Sequence, residues 1–157
     1  MIALAFLALL LGQADAGPWQ RARLTVRAIA VTNGTALPAR IDPRLDPIKP
    51  YLDRFGEMFR NRSVRLLLQQ SFDLDWRAPA EVALPANRSL MIIPRALEPG
   101  QRIWVHFEVV ATPQSHGLHT DYSIERGGTV LMGWLQVDPA NRKSGKLLIA
   151  VTHEIER

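Results

Sequence analysis

ERGGTVLMGWLQVDPANRKSGKLLIAVTHEIE, residues 125–156, contains two apolar runs, 129–137 and 146–155, separated by a segment rich in turn residues. Asp138-Pro139 and Ser144-Gly145 punctuate that segment, so the stretch is predicted to be an antiparallel hairpin. The first run is apolar on both alternating faces, with Leu131, Leu135 and Val137 on one and Val130, Met132 and Trp134 on the other. A strand of that kind needs cover on both sides and is expected near the middle of a sheet. The second run places Leu147, Ile149, Val151 and Ile155 on one face, and Leu148, Ala150, Thr152 and Glu154 on the other. This hairpin is expected to be the core of the fold. It identifies no reaction.

The chain upstream fits a sheet around it. Residues 22–32 alternate, Leu24, Val26, Ala28 and Ala30 against Arg23, Thr25 and Arg27, which predicts a strand with one wet face in its first half. Asp42-Pro43 and Asp46-Pro47 are helix starts. Leu45, Ile48, Leu52, Phe55 and Phe59 form one helical stripe, so a first turn and then a continuous helix to Arg60 are expected. Residues 63–76 alternate again, with Val64, Leu66, Leu68, Phe72, Leu74 and Trp76 assigned to one face. Two hairpins follow, 81–84 with 89–94 and 103–110 with 118–125. The architecture predicted is α+β: an antiparallel sheet or sandwich of about eight strands, with one covering helix after the first strand.

At 157 residues and 47% hydrophobic, the chain has the size of one ordinary domain. Residues 2–11 form an unbroken apolar run too short to span a bilayer, and Ala14-Asp15-Ala16 before Gly17 suits a leader cleavage site. No Lys or Arg precedes Arg21, and a buried N-terminal helix is the alternative. Residues 1–16 are therefore expected to be a signal peptide, and 17–157 a single β-rich domain. Losing Asp15, the one charged residue of that segment, moves the net charge from +4 to +5. The arginines are scattered, with no basic run and no nucleic-acid signature, so nucleic acid is not expected as a partner. The chain has no cysteine, which fits a bacterial envelope better than a disulfide-dependent secretory route.

Chemistry-bearing side chains gather on the 103–125 hairpin. Trp104, His106 and Glu108 alternate on one strand, and His119, Asp121 and Ser123 on the other. If Val105 pairs with Tyr122, then His106 lies across from Asp121 and Glu108 from His119. A slip of two residues would set Glu108 against Asp121, a like-charge pair. His106, Glu108, His119 and Asp121 are ligand types for zinc or another divalent ion. The plainer reading is a wet face decorated by His/acid pairs, and no cofactor is required by anything else in the chain. His116 in the connecting loop, Trp104 and Trp19 are candidates for contacting a ligand or partner, while Trp134 is expected in the core. Asp73 and Asp75 share a strand face and are expected to keep an edge soluble. There is no Gly-x-Ser-x-Gly elbow and no phosphate loop, and Ser123 near His106 lacks any further context for a nucleophile. Catalysis is not expected.

IDPRLDPIKPYLDRF (41–55), SVRLLL (63–68), ALPANRSLMIIP (83–94), RIWVHFEV (102–109), GGTVLMG (127–133) and KLLIAVT (146–152) together resemble a family of small, uncharacterised exported bacterial β-rich proteins. That resemblance implies no particular activity. GGTVLMGWLQ and KLLIAVTHEI are also similar to the closing strands of outer-membrane secretins, with Trp134 where those carry a second Gly and His153 where they carry Pro. No ring-forming or gate domain is read in these residues, so no pore is predicted. The leader implies a periplasmic or extracellular protein, and the likeness to secretins implies one accessory to secretion or to surface-appendage assembly. Its expected partner is another envelope protein, bound through a sheet edge or the 111–117 loop, with the membrane near only by proximity. The oligomeric state is not set by the sequence. The alternative is a small metal- or ligand-binding module on the 103–125 face.

Overall fold

The computed structural model describes residues 21–34, 40–59, 62–99, 101–110 and 118–155; of Trp134 it describes the backbone only. The central strand is not in the C-terminal hairpin but at the start of this range. β1 (Arg21–Asn33) lies between β3 (Arg62–Asp75) and β9 (Asn141–His153), antiparallel to both. The five-stranded sheet has the order β2-β3-β1-β9-β8, with β2 (Arg40–Ile41) joined to β3 in parallel and β8 (Thr129–Asp138) joined to β9 in antiparallel. A second sheet is a meander of β4 (Ala80–Leu84), β5 (Arg88–Glu98), β6 (Arg102–Val110) and β7 (Leu118–Ile124). The α+β sandwich expected from the sequence is what forms, with nine strands among the described residues.

Two apolar layers hold it together. Leu24, Val26 and Ala28 of β1 and Leu147, Ile149 and Val151 of β9 face Leu90, Ile92, Ile103, Val105 and Phe107 of the other sheet. On its opposite face the five-stranded sheet presents Ile29, Val31, Val64, Leu66, Leu148 and Ala150 to Leu45, Ile48, Leu52 and Phe59 of the helical segment. Each fully buried aliphatic or aromatic side chain contributes roughly 1.5–3 kcal/mol by leaving water. The order of layers is helices, five-stranded sheet, four-stranded sheet.

That order explains why β8 is an edge strand although both its faces are apolar. The second sheet covers Val130, Met132, Leu135 and Val137 of β8 and the helical layer covers Leu131, so double apolarity reports layering rather than position in the sheet. Alternation also breaks inside β8. The register shifts between Gly133 and Leu135, so Leu135 and Val137 join Val130 and Met132 toward the other sheet, while Leu131 faces the helices.

A comparable shift divides β3. Ala28 pairs with Leu68 and Ile29 with Leu66, which leaves Leu67 as an extra residue. Val64 and Leu66 consequently lie under the helices, whereas Leu68, Phe72 and Leu74 face the sandwich. The single face drawn from sequence was thus two faces joined at a bulge. The wet face expected on β1 is also half covered, since Thr25 and Arg27 are buried. Arg27 donates from Nε to Gln69 Oε1 at 3.0 Å and from a terminal nitrogen to Thr152 Oγ1 at 3.0 Å, which satisfies its polar atoms under cover.

The continuous helix does not form. Asp42 caps a 3-10 helix, Pro43–Ile48, which is followed by α1 (Lys49–Asp53), a turn at Arg54 and Phe55, and α2 (Gly56–Phe59). Pro47 and Pro50 each lack the N–H that a regular α-helix would use, and Gly56 has no helix preference to carry the chain past the turn. Phe55 leaves the buried stripe and is 44% exposed.

Candidate functional site

β6 buries Ile103, Val105, Phe107 and Val109, so its alternate residues must point away from the sandwich. Those residues are Trp104, His106 and Glu108. β7 pairs with β6 over seven consecutive positions with no shift: Trp104 faces Ser123, His106 faces Asp121 and Glu108 faces His119. The register is the one that joins Val105 to Tyr122, and it avoids the Glu108–Asp121 repulsion.

Side-chain geometry follows from that register. His106 Nδ1 is 2.9 Å from Asp121 Oδ1, with the imidazole largely covered. His119 Nε2 is 3.7 Å from Glu108 Oε1, and His119 is 59% exposed. The two imidazole rings sit 6.2 Å apart between centroids, tilted by 37°. A nitrogen from each ring and a carboxylate oxygen of Glu108 all lie within 4.8 Å of one another. Two nitrogen donors and one oxygen donor on adjacent strands can converge on a cation.

The other residues singled out from sequence fall differently. Trp104 is on the same outer face and 39% exposed, so it is available for contact with a partner. Asp121 belongs to the cluster through its bond to His106 rather than as one of the three converging groups. Ser123 donates to Glu98, which directs its hydroxyl away from service as a nucleophile beside His106. Asp73 and Asp75 are engaged by Arg21, which lies 2.8 Å from Asp75 and 3.7 Å from Asp73, and Arg23 also reaches Asp73. His116, Trp19 and the 1–16 leader lie outside the described residues, and the core position expected for Trp134 concerns a side chain that is likewise outside them.

Two features were not anticipated. His153 is buried at the end of β9, where burial and the nearby Arg126 guanidinium push its pKa down; the carbonyls of Ile124 and Glu125 and the Glu154 carboxylate oppose them. Its alternation with Leu147, Ile149 and Val151 on the core face was the available signal. Arg62, Arg142, Lys143 and Lys146 line one cleft at the other end of the five-stranded sheet. The run 142–146 hinted at that concentration of charge, but Arg62 joins it only through the pairing of β3, β1 and β9. Comparison with family models, curated proteins and solved structures gave no match to this chain. The chemistry of the outer face is therefore the basis for assigning a role.

Proposed function

We propose that this chain is a non-catalytic, exported β-sandwich domain of the cell envelope. It binds another protein by accepting an extended segment as an added strand beside β7. The observation that carries this reading is the asymmetry of cover: among the described residues, the outer face of the four-stranded sheet has no layer over it. That face exposes Trp104 and Val110 beside the His106–Asp121 and Glu108–His119 pairs.

The free edges differ in how ready they are for pairing. β8 is interrupted by register shifts at Gly133/Leu135 and Gln136/Asp138. β3 beyond its short contact with β2 carries a bulge and is lined by Gln69, Gln70, Asp73 and Asp75. β4 is short and bracketed by Pro79 and Pro85. Bulges, prolines and charges blunt an edge against pairing; β7 has neither a bulge nor a proline, and its one carboxylate, Asp121, is engaged by His106. A partner strand laid along it would gain main-chain hydrogen bonds and reach Trp104 across the adjacent face. The leader-like residues 1–16 support delivery across a membrane. The likeness of 127–152 to secretin closing strands supports a role beside secretion or appendage machinery.

The test takes a protein captured from envelope extracts by the full chain, purifies it and adds it back. The β7 amides, residues 118–124, should become protected from hydrogen exchange. Thr120→Pro, with its fold checked by circular dichroism, should weaken the complex at least about tenfold, because proline removes a donor. Protection confined to a different surface would overturn the assignment.

A further inference from the structure

We propose that His106, Glu108 and His119 form a binding site for a divalent ion of zinc type, with Asp121 as the positioning residue for His106. The proposal goes beyond partner binding and does not depend on it.

Four observations carry it. First, the three donor atoms already lie within 4.8 Å of one another. Zinc bonds of about 2.0–2.2 Å bring tetrahedral ligand atoms to about 3.3–3.6 Å, so closure takes a movement of about 1 Å. His119, well exposed at the edge strand, has the rotamer freedom to supply it. Second, the Asp121 carboxylate beside His106 Nδ1 holds the proton there as an Nδ1–H donor. That leaves the Nε2 lone pair for a metal, the carboxylate–histidine arrangement that fixes tautomer and ring orientation at metal sites.

Third, the ligands stand on a rigid base. β6 and β7 pair without a shift, and beneath the site Val105 and Phe107 are buried in the sandwich. Residues on paired strands hold geometry better than residues on loops. Fourth, the donor set discriminates. Two imidazoles with one carboxylate suit zinc and its transition-metal neighbours, whereas magnesium and calcium take oxygen ligands. Three protein ligands leave one tetrahedral position, which faces solvent on the uncovered side of the sheet and takes a water molecule.

The test is zinc and magnesium titration of the full chain by isothermal calorimetry, after chelator treatment and dialysis. Zinc should bind saturably at one ion per chain, and magnesium should not compete. His106→Ala and His119→Ala should each weaken zinc at least about tenfold, and Asp121→Asn by about 10–100-fold, as expected for a residue acting through a ligand. Trp104→Ala, on the same face but outside the donor set, should leave zinc affinity unchanged. Cobalt titration of the unaltered chain supplies a readout independent of the variants: a visible absorption of tetrahedral type should grow to one equivalent. Absence of saturable zinc binding, zinc binding retained in the double variant of His106 and His119, or an octahedral cobalt spectrum would each overturn the site. Because no partner enters this experiment, its failure leaves strand addition at β7 standing, and failure of strand addition leaves the metal site standing.

Discussion

The two sheets of this molecule are built from similar strands and put to opposite uses. The five-stranded sheet is covered by helices on part of one side and by strands on the other, and where both covers meet, around residues 28–31 and 147–151, its strands are buried on both faces. Among the described residues the four-stranded sheet is covered on one face only. Its strand β6 alternates throughout, burying Ile103, Val105 and Phe107 while setting Trp104, His106 and Glu108 outside. The first sheet spends its side chains on stability. The second leaves a face on which polar groups are free to meet something else.

Substitution should break the comparison most sharply in the core. Leu52→Ala, on the face of α1 buried against the five-stranded sheet, should cost about 2–5 kcal/mol in urea unfolding, whereas Trp104→Ala on the open face should cost less than about 1 kcal/mol. Equal losses would mean that the outer face is covered. The next largest effect belongs to Gly133, whose φ of 138° sits at the β8 bulge and where an added Cβ would lie 2.6 Å from the Leu147 carbonyl oxygen. Gly133→Ala should destabilise by on the order of 1–3 kcal/mol, while Gly56→Ala, in α2 with open space around it, should stabilise by up to about 1 kcal/mol.

Two titrations sharpen the contrast at smaller scale. Asp42 accepts hydrogen bonds from the Arg44 side chain, the Arg44 amide and the Leu66 amide, and these hold its carboxyl well below the usual carboxylate range. A depressed carboxyl contributes stability above its unfolded pKa and loses that contribution as pH falls toward the folded one. Asp42→Asn should therefore lower the melting temperature at neutral pH and flatten its decline in acid. His153 has a depressed pKa because its charged form is disfavoured by burial and by Arg126. The unfolded chain then binds the proton more readily, so stability should begin to fall as pH drops through about 6.5 and level off below the folded value. His153→Gln should remove that part of the pH dependence, seen as a flatter melting-temperature profile between neutral and mildly acid pH.

Much of the four-stranded sheet was legible in the sequence because its strands obey one simple rule. Alternation gave the inner and outer residues of β6, and the register considered from sequence, Val105 with Tyr122, is the one that brings His106 to Asp121; on β7 alternation served less well, since Leu118, in step with Tyr122 and Ile124, is 41% exposed. The five-stranded sheet was harder because cover on both sides erases alternation. Double apolarity in β8 suggested a central strand where an edge strand stands, and the bulges at Leu67 and Gly133 moved residues between faces without changing the even spacing of leucines. The helix breaks at Arg54 and Phe55, ahead of Gly56, while the apolar stripe runs on in the sequence to Phe59, so periodicity alone did not report the break. Arg27 was assigned to a wet face because its partners, Gln69 and Thr152, come from strands distant in the chain.

Native-state hydrogen exchange of the full chain tests the division between the two sheets most directly. Amides of β1 and β9 should exchange only through global unfolding, while the amides of β7 on its free edge should exchange faster by orders of magnitude with no opening required. Protection of β7 equal to that of β1 in the free chain would contradict an open edge beside an open face.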